Sequence, residues 1–323
     1  MSSAPLAPVF VAIDGGGSKT DAVALTLDGE LVGRGQGAGS SPHFEGVAGS
    51  VDAVDAAIHA AVGAHPIAVV QLYLSGLDLP VELETYRAAL EGRPWAGPDT
   101  VVENDLYALL RAGAEEPDAV AVVCGTGINA VGVRSDGATV RFPALGAISG
   151  DWGGGSGLGE EALWHAARDV DGRGPYTALT AAVVAGMGVE SLQDLIEDLH
   201  FGRRPLTELA VLAPAVFRVA DEGDEIARGL VDQQADEIVA FATATLARLG
   251  LLERAVPVVL GGGIIRARHE RLMSRVESEL AQCAPQAMLR IVDAPPILGA
   301  ALLTLEAANA APEALLRAAS ALG

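Results

Sequence analysis

Residues 11–32 read VAIDGGGSKTDAVALTLDGELV, and residues 121–140 read AVVCGTGINAVGVRSDGATV. Each stretch opens as an apolar strand, turns through a glycine-rich segment and continues as a second, alternating strand. Each then reverses at an Asp-Gly pair, Asp28-Gly29 or Asp136-Gly137, into a third strand. Asp-Gly between alternating segments is a strong hairpin signal, because both residues tolerate the positive φ that tight hairpin turns require. Two copies of one three-stranded unit point to duplicated halves.

The segments after each copy extend the match. After the first, apolar spacing predicts a helix over about 51–62, a strand over 67–74 and a helix over 81–90, then a strand over 100–102 and a helix opening at Asp105. After the second come helical segments across 158–249, a strand over 256–260, a helix over 269–280, a strand over 287–292 and a helix from Ile297. Both halves read βββαβαβα, with extra helices in the second. Antiparallel hairpins followed by crossover units build a mixed α/β sheet. The expected architecture is two such domains facing one cleft. The first covers residues 1–115 and is completed by the last helices at about 297–323; the second covers 116–296.

Composition narrows the function. The chain has 323 residues and a formal charge of -21, which argues against nucleic acid, whose phosphates demand a basic face, and against anionic membrane surfaces. Half the residues are hydrophobic, but aromatics make up only 4%, and no uninterrupted apolar run reaches the roughly 18 residues of a membrane span. Residues 1–8 lack the basic patch and apolar stretch of a signal peptide, so the expected location is the cytoplasm. Cys124 and Cys283 are the only cysteines, too few for a disulfide framework or a cysteine zinc site. Lys19 is the only lysine and stands beside a glycine run.

Glycine loops carry the chemistry. Asp14-Gly15-Gly16-Gly17-Ser18-Lys19-Thr20 holds more glycine than a hairpin turn needs, and consecutive backbone N–H groups in such a loop can cradle phosphate. It is not a Walker A loop, since strand rather than helix follows. Cys124-Gly125-Thr126-Gly127-Ile128-Asn129-Ala130 fits a G-x-G-x-x-A string, but continuation as strand rejects a dinucleotide fingerprint and suits a second phosphate turn. Leu260-Gly261-Gly262-Gly263-Ile264 ends a strand; an adenine-contacting turn and a plain strand-to-helix connection explain it equally well. Asn104-Asp105 falls where a strand meets a helix, so Asp105 is either an N-cap or a proton acceptor. Gly150-Asp151-Trp152 opens a glycine-dense ligand loop before a helix, and Ser40-Ser41-Pro42-His43 reads as loop or ligand contact with equal ease.

Taken in order, these motifs resemble the BadF/BadG/BcrA/BcrD-type ATPase family, specifically its N-acetylglucosamine kinase and glucosamine kinase branch, over most of the chain. The resemblance implies two ribonuclease-H-like domains of the actin/hexokinase type. It implies an ATP-dependent, Mg²⁺-requiring phosphotransferase acting on an amino sugar's 6-hydroxyl, working as a homodimer. DGGGSKT (Gly15, Gly16, Gly17, Ser18, Lys19, Thr20) and CGTGINA (Gly125, Thr126, Gly127) resemble the family's phosphate motifs, and LGGGI (Gly261, Gly262, Gly263) its adenosine motif. Asp14 would hold Mg²⁺ directly or through water, and Asp105 would be the catalytic base. Ser41, His43, Gly76, Asp78, Asn104, Gly150 and Asp151 would line the sugar site. The family usually has Glu after the Gly-Asp pair, where Trp152 stands here, a departure that bears on sugar specificity rather than phosphoryl chemistry.

A dehydratase activator of the same superfamily would need cysteines for an iron–sulfur cluster, which this pattern does not supply. A sugar-responsive repressor would carry a helix-turn-helix ahead of the first strand. A non-enzymatic nucleotide- or sugar-binding regulator is the remaining alternative. Between the two amino sugars, the acidic chain, with Asp78 near the Ser75-Gly76 turn as an extra carboxylate, favours the partly cationic glucosamine over N-acetylglucosamine.

Overall fold

The structure, a computed structural model, describes residues 6–323. The chain opens with strands Val9–Gly15 (β1), Lys19–Leu25 (β2) and Leu31–Ala38 (β3), then helix Pro42–Val62 (α1), strand Ile67–Leu74 (β4), helix Pro80–Ala89 (α2), strand Val101–Asn104 (β5) and helix Leu106–Gly113 (α3). A second series follows: strands Ala119–Cys124 (β6), Ile128–Val133 (β7) and Thr139–Arg141 (β8), then helices Gly154–Val170 (α4), Leu179–Met187 (α5), Leu192–His200 (α6), Ala213–Asp221 (α7) and Glu225–Leu249 (α8). Strand Pro257–Gly261 (β9), helices Gly263–Arg266 (α9) and Glu270–Cys283 (α10) and strand Met288–Ile291 (β10) complete that series. Helices Pro296–Ala307 (α11) and Pro312–Leu322 (α12) end the chain.

Two five-stranded sheets result, ordered β3-β2-β1-β4-β5 and β8-β7-β6-β9-β10. The orders are equivalent, as expected of a duplicated unit. In the first sheet β1 pairs antiparallel with β2 and β2 with β3, while β1, β4 and β5 run parallel. In the second, β9 and β10 are parallel. By packing, the chain divides into two compact units: the described residues up to Ala121 with Arg141–Pro143 and Val292–Gly323, and Val122–Val140 with Ala144–Ile291.

The first unit buries both faces of its sheet. Val11, Ile13, Val70 and Leu72 pack with Val54, Ile58 and Val62 of α1 and with Leu83 and Tyr86 of α2. On the other face Ala12, Val23, Leu25 and Tyr73 pack with α11 and α12 through Ile297, Ala301, Leu305 and Leu322. Alternating Gly33, Gly35 and Gly37 let α1 lie directly on β3, since a Cβ at Gly35 would stand 2.1 Å from the Ala57 carbonyl oxygen. The helix expected over 51–62 in fact starts at Pro42. Proline suits a first turn, whose N–H groups lack intrahelical partners, and Gly46 breaks the helix with φ 66° and ψ 166°. Among the described residues no single helix is long and apolar enough to cross a membrane.

Candidate active site

Strand register lays a polar row across the first sheet. Gln36 pairs with Asp21, Asp21 with Asp14, Asp14 with Tyr73, and Tyr73 with Glu103. Directly paired residues share a face, so these five side chains lie side by side near the carboxyl ends of β1, β4 and β5. Ligands of open α/β sheets collect at such ends. Gln36 Nε2 donates to Asp21 Oδ1 at 2.8 Å, and Lys19 Nζ donates to Asp21 Oδ2 at 2.5 Å. The Gly15–Thr20 loop closes through the Gly16 N–H on the Lys19 carbonyl at 2.9 Å, leaving Gly17, Ser18 and Lys19 exposed.

Asp14 and Asp105 are the electrostatic centre of this end. Burial pushes the Asp14 carboxyl up to about 8, with Asp105 and Asp21 raising it further and Lys19 opposing them. Burial likewise raises Asp105 to about 7, helped by the Asp78 charge and opposed by nearby backbone N–H groups and Arg141. Asp105 directly precedes α3, yet its side chain makes no capping bond. The Leu106 N–H instead donates to Asn104 Oδ1 at 3.0 Å. Asp105 thus makes no side-chain capping bond, although its own N–H and that of Leu106 act on its carboxylate against the effect of burial.

Ser41, His43, Gly76, Asp78 and Asn104, expected from the sequence at the sugar site, lie close together in the first unit. Gly76, at φ 75°, brings its turn so close to α1 that a Cβ there would stand 2.6 Å from Ser41 Oγ and 3.1 Å from His43 Cγ. His43 Nε2 lies 2.9 Å from Glu82 Oε1, and Glu82 Oε2 accepts the N–H groups of Asp78 and Leu79, each at 2.8 Å. Asn104 Nδ2 donates to Asp78 Oδ1 at 3.0 Å and to the Leu77 carbonyl at 3.4 Å. With its oxygen accepting the Leu106 N–H, the buried Asn104 amide ties Asp78 to the start of α3. Burial pushes Asp78 up to about 6, against the opposing charges of His43 and Arg141. Glu82, Glu103 and Arg141 were missed in the sequence, where single charged residues on a helix or strand carry no motif.

The second unit assembles the other predicted glycines. The Gly125 N–H donates to the Gly127 carbonyl at 2.9 Å, and Thr126 and Gly127 are exposed. The start of α4 braces this turn: Gly155 and Ser156 N–H groups donate to the Gly125 and Thr126 carbonyls at 2.8 and 2.9 Å. Gly154, at φ 69°, lies so close that a Cβ would stand 2.6 Å from the Gly127 backbone. Gly262 packs on the Cys124 backbone, while exposed Gly263 lies near Gly125 and Gly261 ends β9. Gly150 is exposed, and the Asp151 carboxylate accepts Ser149 Oγ–H at 2.6 Å and the Gly146 N–H at 3.1 Å.

Asp14 and Asp21 are paired across β1 and β2, so two carboxylates, the hard oxygen donors that Mg²⁺ prefers, stand on one face. A carboxyl held near 8 by burial and two neighbouring carboxylates is unfavourable as an anion, and an oxygen-liganded Mg²⁺ supplies the charge that relieves it.

Comparison with known proteins identifies relatives of the chain. The model of the BadF/BadG/BcrA/BcrD ATPase family matches residues 11–304. The chain is 26% identical over 312 residues to an N-acetyl-D-glucosamine kinase of Dictyostelium discoideum, covering 92% of this chain and 98% of that protein. It is 27% identical over 165 residues to an N-acetylmuramic acid/N-acetylglucosamine kinase of Clostridium acetobutylicum, covering 51% of this chain and 54% of that protein. A solved Chromobacterium violaceum structure, proposed to be an N-acetylglucosamine kinase, superposes with a TM-score of 0.74 at 26% identity, covering 93% of this chain and 100% of that one.

Proposed function

The chain belongs to the BadF/BadG/BcrA/BcrD ATPase family, and from that premise we propose that it is an ATP-dependent sugar kinase that phosphorylates N-acetylglucosamine at the 6-hydroxyl. The observation that carries the reading is Asp105: a carboxylate that burial raises to about 7, making no side-chain capping bond to α3, at the strand end with Asp14. A general base works best when its pKa lies near the working pH. Asp105 accepts the proton of the sugar hydroxyl as its oxygen forms the new bond to the γ-phosphorus. The bond between that phosphorus and the β–γ bridging oxygen breaks, and ADP leaves. Asp14 is the residue that would hold Mg²⁺, which when bound neutralises phosphate charge. The Gly15–Thr20 and Gly125–Gly127 turns take the phosphates, Gly261–Gly263 the adenosine, and Ser41, His43, Gly76, Asp78, Asn104, Gly150 and Asp151 the sugar. Positioning and charge neutralisation supply most of the rate in such transfers.

The choice of N-acetylglucosamine over glucosamine follows from the relatives named for N-acetylated sugars. The case for glucosamine rested on the acidic chain, with Asp78 as an extra carboxylate. In its place in the fold that carboxylate already hydrogen-bonds Asn104 and faces the charges of His43 and Arg141. Measuring kcat/KM for both sugars with ATP across pH 6–9 tests the reading. N-acetylglucosamine is expected to be used better throughout. Preference for glucosamine would reverse the acceptor assignment, and no turnover of either sugar would remove the kinase assignment for amino sugars.

A further inference from the structure

The peptide unit joining Leu77 to Asp78 is clamped at both ends. Its N–H, on Asp78, donates to Glu82 Oε2 at 2.8 Å. Its carbonyl oxygen, on Leu77, accepts from Asn104 Nδ2 and from Arg141 Nη2, a residue 64 positions further along the chain. Because a peptide unit is planar, fixing both its oxygen and its N–H fixes the orientation from which the Asp78 side chain departs. Arg141 is itself held in place. Its other terminal nitrogen lies 3.8 Å from Glu103 Oε2, and its guanidinium carbon stands 6.0 Å from the centre of the Tyr107 ring. It groups with the first unit, to which all of these partners belong.

We propose that Arg141 is a positioning residue for phosphoryl transfer, locking the acceptor turn at Leu77-Asp78 and setting a permanent positive charge beside Asp78 and Asp105. The inference rests on the kinase reading above and adds to it a residue outside every glycine motif. Arginine suits the task for two reasons. Its planar fork can donate to a carbonyl and a carboxylate at once while lying near an aromatic ring, and its charge persists at any working pH. Burial and the Asp78 charge drive the Asp105 proton on; Arg141 acts in the opposite sense on both carboxyls. Lysine would keep the charge and lose the fork. Methionine would keep the apolar stem and lose both.

The test compares wild type, Arg141→Lys and Arg141→Met, with melting temperature and ADP affinity by calorimetry measured alongside steady-state kinetics. Arg141→Met should lower kcat/KM for the sugar by about 10²-fold, the scale set by small misplacements of reacting groups. ADP affinity should stay within about twofold, and Arg141→Lys should recover about tenfold of the loss, the charge's share of it. Wild-type kinetics in Arg141→Met, an equal loss of ADP affinity, or no recovery with lysine would each overturn the proposal. If the methionine variant does not fold, Glu103→Gln releases one side of the guanidinium without changing its charge. It should raise the sugar KM several-fold and leave ADP affinity alone, and an unchanged KM would overturn the proposal. Absence of sugar turnover in the wild type would instead strike the kinase reading itself.

Discussion

At the scale of single residues, Asp105 is expected to set the pH dependence of turnover. Its pKa is raised to about 7, and only the ionised form accepts a proton from the sugar. Activity is therefore lost on the acid side: kcat/KM should rise with pH through about 7 and fall about tenfold per unit well below it. Asp105→Asn should lower kcat by about 10²-fold or more and abolish that acid limb, because general-base catalysis contributes 10²–10⁴. A near-normal rate with the limb intact would place the base elsewhere. Asp105 and Asp14 were legible in the sequence because each adjoins a recognisable boundary, a strand-to-helix junction or a glycine run. The N-cap alternative for Asp105 could be weighed only in the structure, where Asn104 takes the Leu106 N–H. Arg141 was illegible for a different reason. An isolated arginine at the end of a three-residue strand has no periodicity to betray it, and its partners Leu77, Glu103 and Tyr107 come from distant segments.

At the scale of elements, the glycine turns divide into those that face open space and those that face backbone. Around Gly127 no atom lies within 4 Å of where a Cβ would stand, whereas at Gly154 that Cβ would meet the Gly127 backbone. Gly127→Val should therefore fold with little change in melting temperature and weaken ADP binding by tenfold or more, because its side chain occupies the space proposed for phosphate. Gly154→Ala should destabilise the second unit by about 1 kcal/mol or more, given its positive φ and the clash. Calorimetry and thermal melts on the pair check this; unchanged ADP affinity in a folded Gly127→Val would remove the turn from the site. Alternation and turn chemistry made the strands readable, and Ile67–Leu74 falls where the apolar pattern put it. The start of α1 was not readable, because Ser40-Ser41-Pro42-His43 has loop chemistry. The segment after Gly46 is the part that packs on glycine-bearing β3, through Ala53, Ala57 and Ala61, and a separate turn begun at Pro42 precedes it.

At the scale of the whole molecule, repetition was the strongest signal. Two hairpin units with matching downstream patterns gave two sheets of equivalent strand order, and the extra helices of the second half became α4 to α8. Sequence periodicity could not divide that helical stretch into five separate helices, since its Ala-rich segments run together and their breaks depend on local caps such as Asp224, whose side chain accepts the Ala227 N–H. The sugar acceptor was equally beyond reach from net charge, which steers ligands without shaping a pocket. The proposed reaction transfers a phosphoryl group from ATP to the sugar's 6-hydroxyl. Phosphorus NMR of a reaction containing the chain, ATP, Mg²⁺ and N-acetylglucosamine tests it directly. One phosphate ester at the sugar's 6-position is expected for each ADP formed, and ADP accompanied by inorganic phosphate, with no sugar ester, would rule out the kinase assignment.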